Sequence, residues 1–138
     1  LGSESNASGI ASSALGYQAN ASGYTATALG FNTKASGQSS VAVGSSANAS
    51  GIASSALGHN ANASGYTATA LGFNTKASGQ SSVAVGSLAK ATGVNSSALG
   101  YQANASGYNA LALGDRATAD QAGAVALGAG SSTAATVA

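Results

Sequence analysis

The side chains able to do acid–base, nucleophilic or metal chemistry are few in this sequence, and they are scattered. Histidine occurs once, at His59. The carboxylates are Glu4, Asp115 and Asp120, the cations are Lys34, Lys76, Lys90 and Arg116, and there is no cysteine. A catalytic triad or a histidine metal site needs partner groups that converge on the imidazole. His59 has none near it in sequence, and it stands where an otherwise matching stretch has Tyr17. Asp115, Arg116 and Asp120 form the one charge cluster, which reads as a solvated loop where the sequence pattern loosens. Glycine-rich phosphate loops need a strand-to-helix context, and calcium-binding nonapeptide rolls need regularly placed Asp; neither is present. No catalytic, cofactor-binding or metal-binding residue is assigned, no cofactor is expected, and the chain is not expected to be an enzyme.

The aromatic residues carry more order. Tyr17, Tyr24, Phe31, Tyr66, Phe73, Tyr101 and Tyr108 each directly follow a glycine, and Tyr24, Tyr66 and Tyr108 recur at a fixed interval. They read as rings stacked along a series of bends. The competing reading is an exposed ladder that contacts a ligand, since Tyr is enriched at interfaces. A flat threonine array of the ice-binding kind is not supported, because only Thr25/Thr27 and Thr67/Thr69 pair up.

What positions these residues is a repeat. Residues 9–50 and 51–92 are the same block read twice, differing only at Tyr17/His59, Gln18/Asn60, Ser46/Leu88, Asn48/Lys90 and Ser50/Thr92. Within the block, glycine recurs every seventh residue from Gly2 to Gly114; Gln121 takes the next place and Gly128 resumes the series. The glycines alternate in company, one kind closing Ala-Leu-Gly or Ala-Val-Gly and the other Ala-Ser-Gly or Ala-Thr-Gly. The true period is therefore fourteen residues, with nine units over 9–134. The series opens part-way through a unit, at Leu1-Gly2, which predicts a piece of a longer protein.

A coiled coil does not fit this period. Each helical Gly costs roughly 1 kcal/mol against Ala, so the regular series would exceed the ~5–15 kcal/mol margin of a folded domain. A disordered linker has no reason to keep Leu or Val at a fixed phase. Only 5% of residues are charged and the net charge is +1. That gives no overall electrostatic footprint for nucleic acid or an anionic membrane. No run of apolar residues is long enough to span a bilayer as a helix, so no direct membrane insertion by this segment is expected.

Alternation assigns the faces. Two residues before every glycine of the regular series stands Ala, and four before stands Ala, Ser or Thr; these small residues form the interior of two facing walls. Each half-unit is a short strand, each glycine supplies a bend through its tolerance of positive φ, and two strands with two bends make one rung of a narrow β-solenoid. The Ala-Ser-Gly wall shows Asn20, Lys34, Asn62 and Lys76 to water. The Ala-Leu-Gly wall shows Leu15, Leu29, Val43, Leu57, Leu71, Val85, Leu99, Leu113 and Leu127, one per rung. The opposite assignment would bury Ser13 and Thr27 beside the Leu and expose two Ala columns. An apolar stripe along a whole rod exceeds the few hundred Å² a soluble monomer exposes, so this wall is expected to bury itself in self-association.

Ser-Val-Ala-Val-Gly-Ser at Ser40–Ser45 and Ser82–Ser87, set in the wider pattern Ala-x-Ala-Ser-Gly-x-x-Ser-x-Ala-Leu-Gly, resembles the YadA-like head of trimeric autotransporter adhesins across nearly the whole chain. The resemblance implies a left-handed parallel β-roll and a homotrimer. It also implies display on the bacterial outer membrane as a virulence-associated head, and adhesion to host extracellular matrix proteins or cell-surface receptors. The family's collagen-associated motif reads Asn-Ser-Val-Ala-Ile-Gly. This chain has Ser39 and Ser81 in the Asn place and Val43 and Val85 in the Ile place, so the resemblance does not single out collagen. The fold expected is therefore an all-β, fourteen-residue-repeat parallel β-roll, one domain over 1–138 with the pattern loosening over 115–138. The candidate ligand surface is Ser40, Val41, Ser82 and Val83, with Asn20, Lys34, Asn62, Lys76 and the tyrosines 24, 66 and 108. An alternative function is a structural spacer that projects other binding domains.

Overall fold

The structure is a computed structural model that describes residues 1–133. Two half-units per rung give two kinds of strand, alternating along the chain. The Ala-Ser-Gly half-units form two-residue strands: β1 (Asn6–Ala7), β3 (Asn20–Ala21), β5 (Lys34–Ala35), β7 (Asn48–Ala49), β9 (Asn62–Ala63), β11 (Lys76–Ala77), β13 (Lys90–Ala91), β15 (Asn104–Ala105) and β17 (Thr118–Ala119). The Ala-Leu-Gly half-units form three-residue strands: β2 (Ser13–Leu15), β4 (Thr27–Leu29), β6 (Val41–Val43), β8 (Ser55–Leu57), β10 (Thr69–Leu71), β12 (Val83–Val85), β14 (Ser97–Leu99), β16 (Leu111–Leu113) and β18 (Val125–Leu127). Odd strands build one nine-stranded parallel sheet and even strands another, each strand pairing with the one a rung away. The register is fourteen residues throughout: Ala14 faces Ala28 and Leu15 faces Leu29 on one wall, and Ala21 faces Ala35 on the other. At ~4.8 Å per strand spacing, nine rungs make a rod of roughly 40 Å.

The interior is alanine. Ala28, Ala42 and Ala56 from one wall and Ala35, Ala49 and Ala63 from the other are fully buried. A methyl group is all that fits, because Cα atoms of the two strands of a rung come within 8 Å, nearer than the ~10 Å between ordinary stacked sheets. The columns four before each glycine are interior too. Thr33, Thr75, Ser54 and Ser96 are buried there and turn their hydroxyls onto the carbonyl three residues back, as Ser54 Oγ does to Gly51 O at 2.7 Å. That bond removes the cost of burying a hydroxyl.

The bends differ from the expectation that each glycine turns the chain by positive φ. The glycines closing Ala-Leu-Gly do so, for example Gly58 at φ +130°, but those closing Ala-Ser-Gly do not. The latter are glycine for want of space: a Cβ on Gly65 would lie 2.1 Å from the carbonyl oxygen of Gly79 in the next rung. The left-handed residue of every bend lies two places after the glycine, from Glu4 to Arg116, with φ of +52° to +63° in a non-glycine residue. Such a conformation costs ~1–2 kcal/mol. It turns the amide onto the carbonyl of the rung before, as in Asn32 N to Tyr17 O at 2.8 Å and Thr67 N to Ile52 O at 2.8 Å. A backbone hydrogen bond worth about 1 kcal/mol net thus offsets most of the strain.

Candidate binding surfaces

The rod has two outer walls and two lines of bends, and their chemistry follows from the pleat. On the even-stranded wall, the residue before each glycine points outward. Leu15, Leu29, Leu71, Leu113 and Leu127 are exposed, while Val43, Leu57, Val85 and Leu99 are half-buried. Beside them, two residues back, run Ser13, Thr27, Val41, Ser55, Thr69, Val83, Ser97, Leu111 and Val125 in register. The result is a continuous apolar stripe over the length of the rod, widest where Val41, Val83 and Leu111 join it.

The odd-stranded wall is polar. Asn20, Lys34, Asn48, Asn62, Lys76, Lys90, Asn104 and Thr118 form one ladder, each in register with the next. The lysines are exposed, whereas Asn20, Asn48 and Asn62 are half-buried with the amide oxygen shielded from water.

The bends hold the aromatics. Tyr24, Tyr66 and Tyr108 share an exposed column with Ile10, Ile52 and Val94, so they are not stacked on one another. Stacking occurs on the other line of bends. Tyr17 and Phe31 lie one rung apart with ring centroids at 5.5 Å and planes at 13°, and His59 and Phe73 repeat the pair at 5.4 Å and 16°. The fourteen-residue interval between each pair was the available signal for this. His59 is thus one half of an aromatic stack, with Asn60 Nδ2 3.2 Å from its Nε2. Among the described residues no cluster of three His, Cys, Asp or Glu side chains could hold a metal ion.

Two residues of the expected ligand surface are elsewhere. Ser40 and Ser82 are fully buried in the interior column, with no hydrogen-bond partner for either hydroxyl, and so are not available to a ligand. They fall four before the glycine, where the pleat turns a side chain inward. Val41 and Val83 point out on the same wall as the leucine stripe, not on the polar wall. Asn20, Lys34, Asn62 and Lys76 are on the polar wall. The Ser-Val-Ala-Val-Gly motif is therefore a description of one strand and its bend, half a rung: Ser inside, Val outside, Ala inside, Val outside, Gly turning the chain. Ser39 and Ser81, in the place where the resembling family carries Asn, are left-handed at φ +55° and +54°. Asn tolerates that region better than most residues, which gives a backbone reason for the family's choice.

The model of the YadA head domain repeat, two copies long, matches in overlapping windows from 1–19 and 7–33 through to 105–131. The chain belongs to the YadA head repeat family. Among solved structures it is similar to the crystal structure of the collagen-binding domain of the Yersinia adhesin YadA, with a TM-score of 0.70 and 28% sequence identity. That alignment covers 96% of this chain and 74% of the other. No curated protein matches the chain. The parallel β-roll is the architecture of YadA heads, and this is an adhesin-type head domain of a surface-exposed bacterial protein. No helix among the described residues is long and apolar enough to cross a membrane.

Proposed function

We propose that this head mediates bacterial attachment to host extracellular matrix or cells, as a homotrimer held at the outer membrane by other parts of its protein. The observation that carries this reading is the likeness to a collagen-binding head over 96% of the chain at 28% identity. The physical division of the surface supports it. The even-stranded wall carries the apolar stripe from Leu15 to Leu127, and fully burying a Leu or Val is worth ~1.5–3 kcal/mol. Three copies around an axis would cover three such stripes. The odd-stranded wall and both lines of bends then face outward with Asn20, Lys34, Asn62, Lys76 and the tyrosines at 24, 66 and 108. Ligand contact on this surface is weak per site, because it is built of small polar groups and single rings, and becomes firm through three copies per head and many heads per cell.

A panel of immobilised matrix proteins, with collagen first, separates this function from that of a passive spacer. Saturable binding of the purified head to one matrix protein is expected, reduced several-fold by Tyr24→Ala, Tyr66→Ala and Tyr108→Ala together. A head that binds no member of the panel or of a host-cell surface would leave the spacer function standing.

A further inference from the structure

The polar wall is not uniform along the rod. Three of the four Lys and Arg residues of the chain lie from the middle of the rod onward: Lys76 and Lys90 on the polar wall, and Arg116 on the line of bends that leads into it. Lys76 and Lys90 are direct neighbours in the ladder, about 4.8 Å apart at the backbone. In the preceding block the same two places are Lys34 and Asn48. Like charges directly opposite each other on neighbouring strands are destabilising, and among the described residues neither lysine has an ion-pair or hydrogen-bond partner. Beyond them lies a cavity of about 370 Å³ lined by Leu88, Lys90, Gln102, Asn104, Arg116 and Thr118. Arg116 is held in place there: its Nε donates to Gln102 Oε1 at 3.1 Å and its guanidinium lies 5.5 Å from the centre of the Tyr101 ring. Asp115 is 3.6 Å from Arg116, but both side chains are about half exposed or more, so the pair is weak and a ligand anion can displace the carboxylate. Asp120 is occupied by Gln121 and Thr133 on the far side of Thr118.

We propose that this groove, from Lys76 to Thr118, binds a linear acidic polysaccharide through its sulfate or carboxylate groups. The cations run along the rod axis, one rung and then about two rungs apart, which suits an extended chain with regularly spaced charges and not one compact anion. Between them, the amides of Gln102 and Asn104 and the hydroxyl of Thr118 offer both donors and acceptors, as sugar hydroxyls require. Single-stranded nucleic acid would need a run of open aromatic faces for its bases, and no aromatic side chain lines this groove; Tyr101 beside it has one face taken by Arg116. The site goes beyond adhesion to matrix protein: Lys76, Lys90, Asn104 and Thr118 are on the wall opposite the apolar stripe, and Leu88, Gln102 and Arg116 are on the bends that lead into that wall.

The internal duplication supplies safe variants. Lys90→Asn and Arg116→Asn place at each position the residue already found at the matching place one block earlier, Asn48 and Asn74. Calorimetric titration with a short heparin oligosaccharide, its desulfated form and a DNA duplex of similar length tests the assignment on the full chain. Heparin binding is expected to weaken roughly twenty- to forty-fold between 50 and 200 mM salt, as three neutralised charges require, and only about three-fold for the double variant, which keeps one. The double variant should also bind at least ten-fold more weakly at low salt, with an unchanged circular dichroism spectrum, while Lys34→Asn should change affinity less than two-fold. Binding retained by the desulfated chain assigns carboxylates as the recognised group, and its loss assigns sulfates. Three results would each overturn the proposal: no heparin binding at low salt, an equal effect of Lys34→Asn, or DNA bound as tightly as heparin.

Discussion

Replacing Gly65 by Ala adds a single methyl group, yet it should be among the most damaging substitutions in the rod. The backbone of Gly65 is not left-handed, so conformation alone does not demand glycine there. Space does. The added Cβ would meet Gly79 O at 2.1 Å, Gly79 C at 2.6 Å and Ser78 O at 3.0 Å, all backbone atoms of the next rung. Real Cβ contacts below 3.0 Å are essentially unknown, so the two rungs must part by on the order of 1 Å. The bonds Ser64 N to Ala77 O at 3.0 Å and Gly65 N to Ala77 O at 3.3 Å would then stretch beyond hydrogen-bonding length. Losing two ladder bonds and part of the alanine packing between rungs gives a destabilisation on the order of 3 kcal/mol. That is a fall of roughly ten degrees in melting temperature for a chain of this size. The reference is Gly123→Ala. Gly123 is left-handed at φ +69° but has nothing within 4 Å of an added Cβ, so the cost there is the conformational one, about 1 kcal/mol. Thermal and urea unfolding followed by circular dichroism compare the two. Because rungs rely only on their neighbours, the Gly65 variant should also show a lower urea m-value as the two halves of the rod uncouple. If Gly65→Ala cost no more than Gly123→Ala, the close approach of rungs at this column would be wrong.

Two further outcomes follow from other columns. Ser40→Ala should be neutral or stabilising by about 1 kcal/mol, since its buried hydroxyl has no partner, whereas Ser54→Ala should cost about 1 kcal/mol by losing its bond to Gly51 O; equal melting temperatures for the two variants would refute this. Light scattering should give three times the 12.7 kDa chain mass, about 38 kDa for a trimer, and Leu57→Asp with Leu71→Asp should abolish it, because unpaired carboxylates cost several kcal/mol each when buried; Asn62→Asp with Asn104→Asp, on the opposite wall, should leave the mass unchanged.

The interior and the two walls were legible in the sequence because alternation is a local rule. Once Ala at two before glycine is inside, Leu29 is outside and Lys34 is outside on the other wall, as the structure has them. The bends were legible only in part. The left-handed column holds Glu4, Ala11, Gln18, Thr25, Ser46, Leu88 and Arg116, and no residue type marks it. Its strain is offset by a hydrogen bond to a residue fifteen positions earlier, which no local reading can see. The expectation that Ser40 and Ser82 face a ligand treats the motif as one surface feature, whereas alternation turns its Ser inward and its Val outward. Stacking along the bends was legible from the rings that follow glycine, but not which line of bends carries it: Tyr17 stacks on Phe31 and His59 on Phe73 between adjacent rungs, whereas Tyr24, Tyr66 and Tyr108 recur only every third rung and do not meet.

The two copies of the forty-two-residue block show where this fold leaves room for change. All five differences, Tyr17/His59, Gln18/Asn60, Ser46/Leu88, Asn48/Lys90 and Ser50/Thr92, fall on the polar wall or on the bends that lead into it. None falls on an interior column or on the apolar stripe. An interior alanine has a copy of itself above and below, so one enlargement disturbs two rung interfaces at once, and overpacking costs ~1–3 kcal/mol. A stripe residue is under similar restraint if three copies meet there. On the polar wall a side chain can change from Asn to Lys, and on the bend before it from Ser to Leu, with the backbone bonds intact: Asn48 N and Lys90 N each donate to the next rung at 2.8 Å, and Ser46 N and Leu88 N each donate to the rung before at 2.8 Å. Substitutions of that kind usually stay within about 0.5 kcal/mol. Recognition can therefore vary on this wall and its bends at almost no cost to stability, and the change from Asn48 to Lys90 is the one that sets two lysines side by side in the second copy.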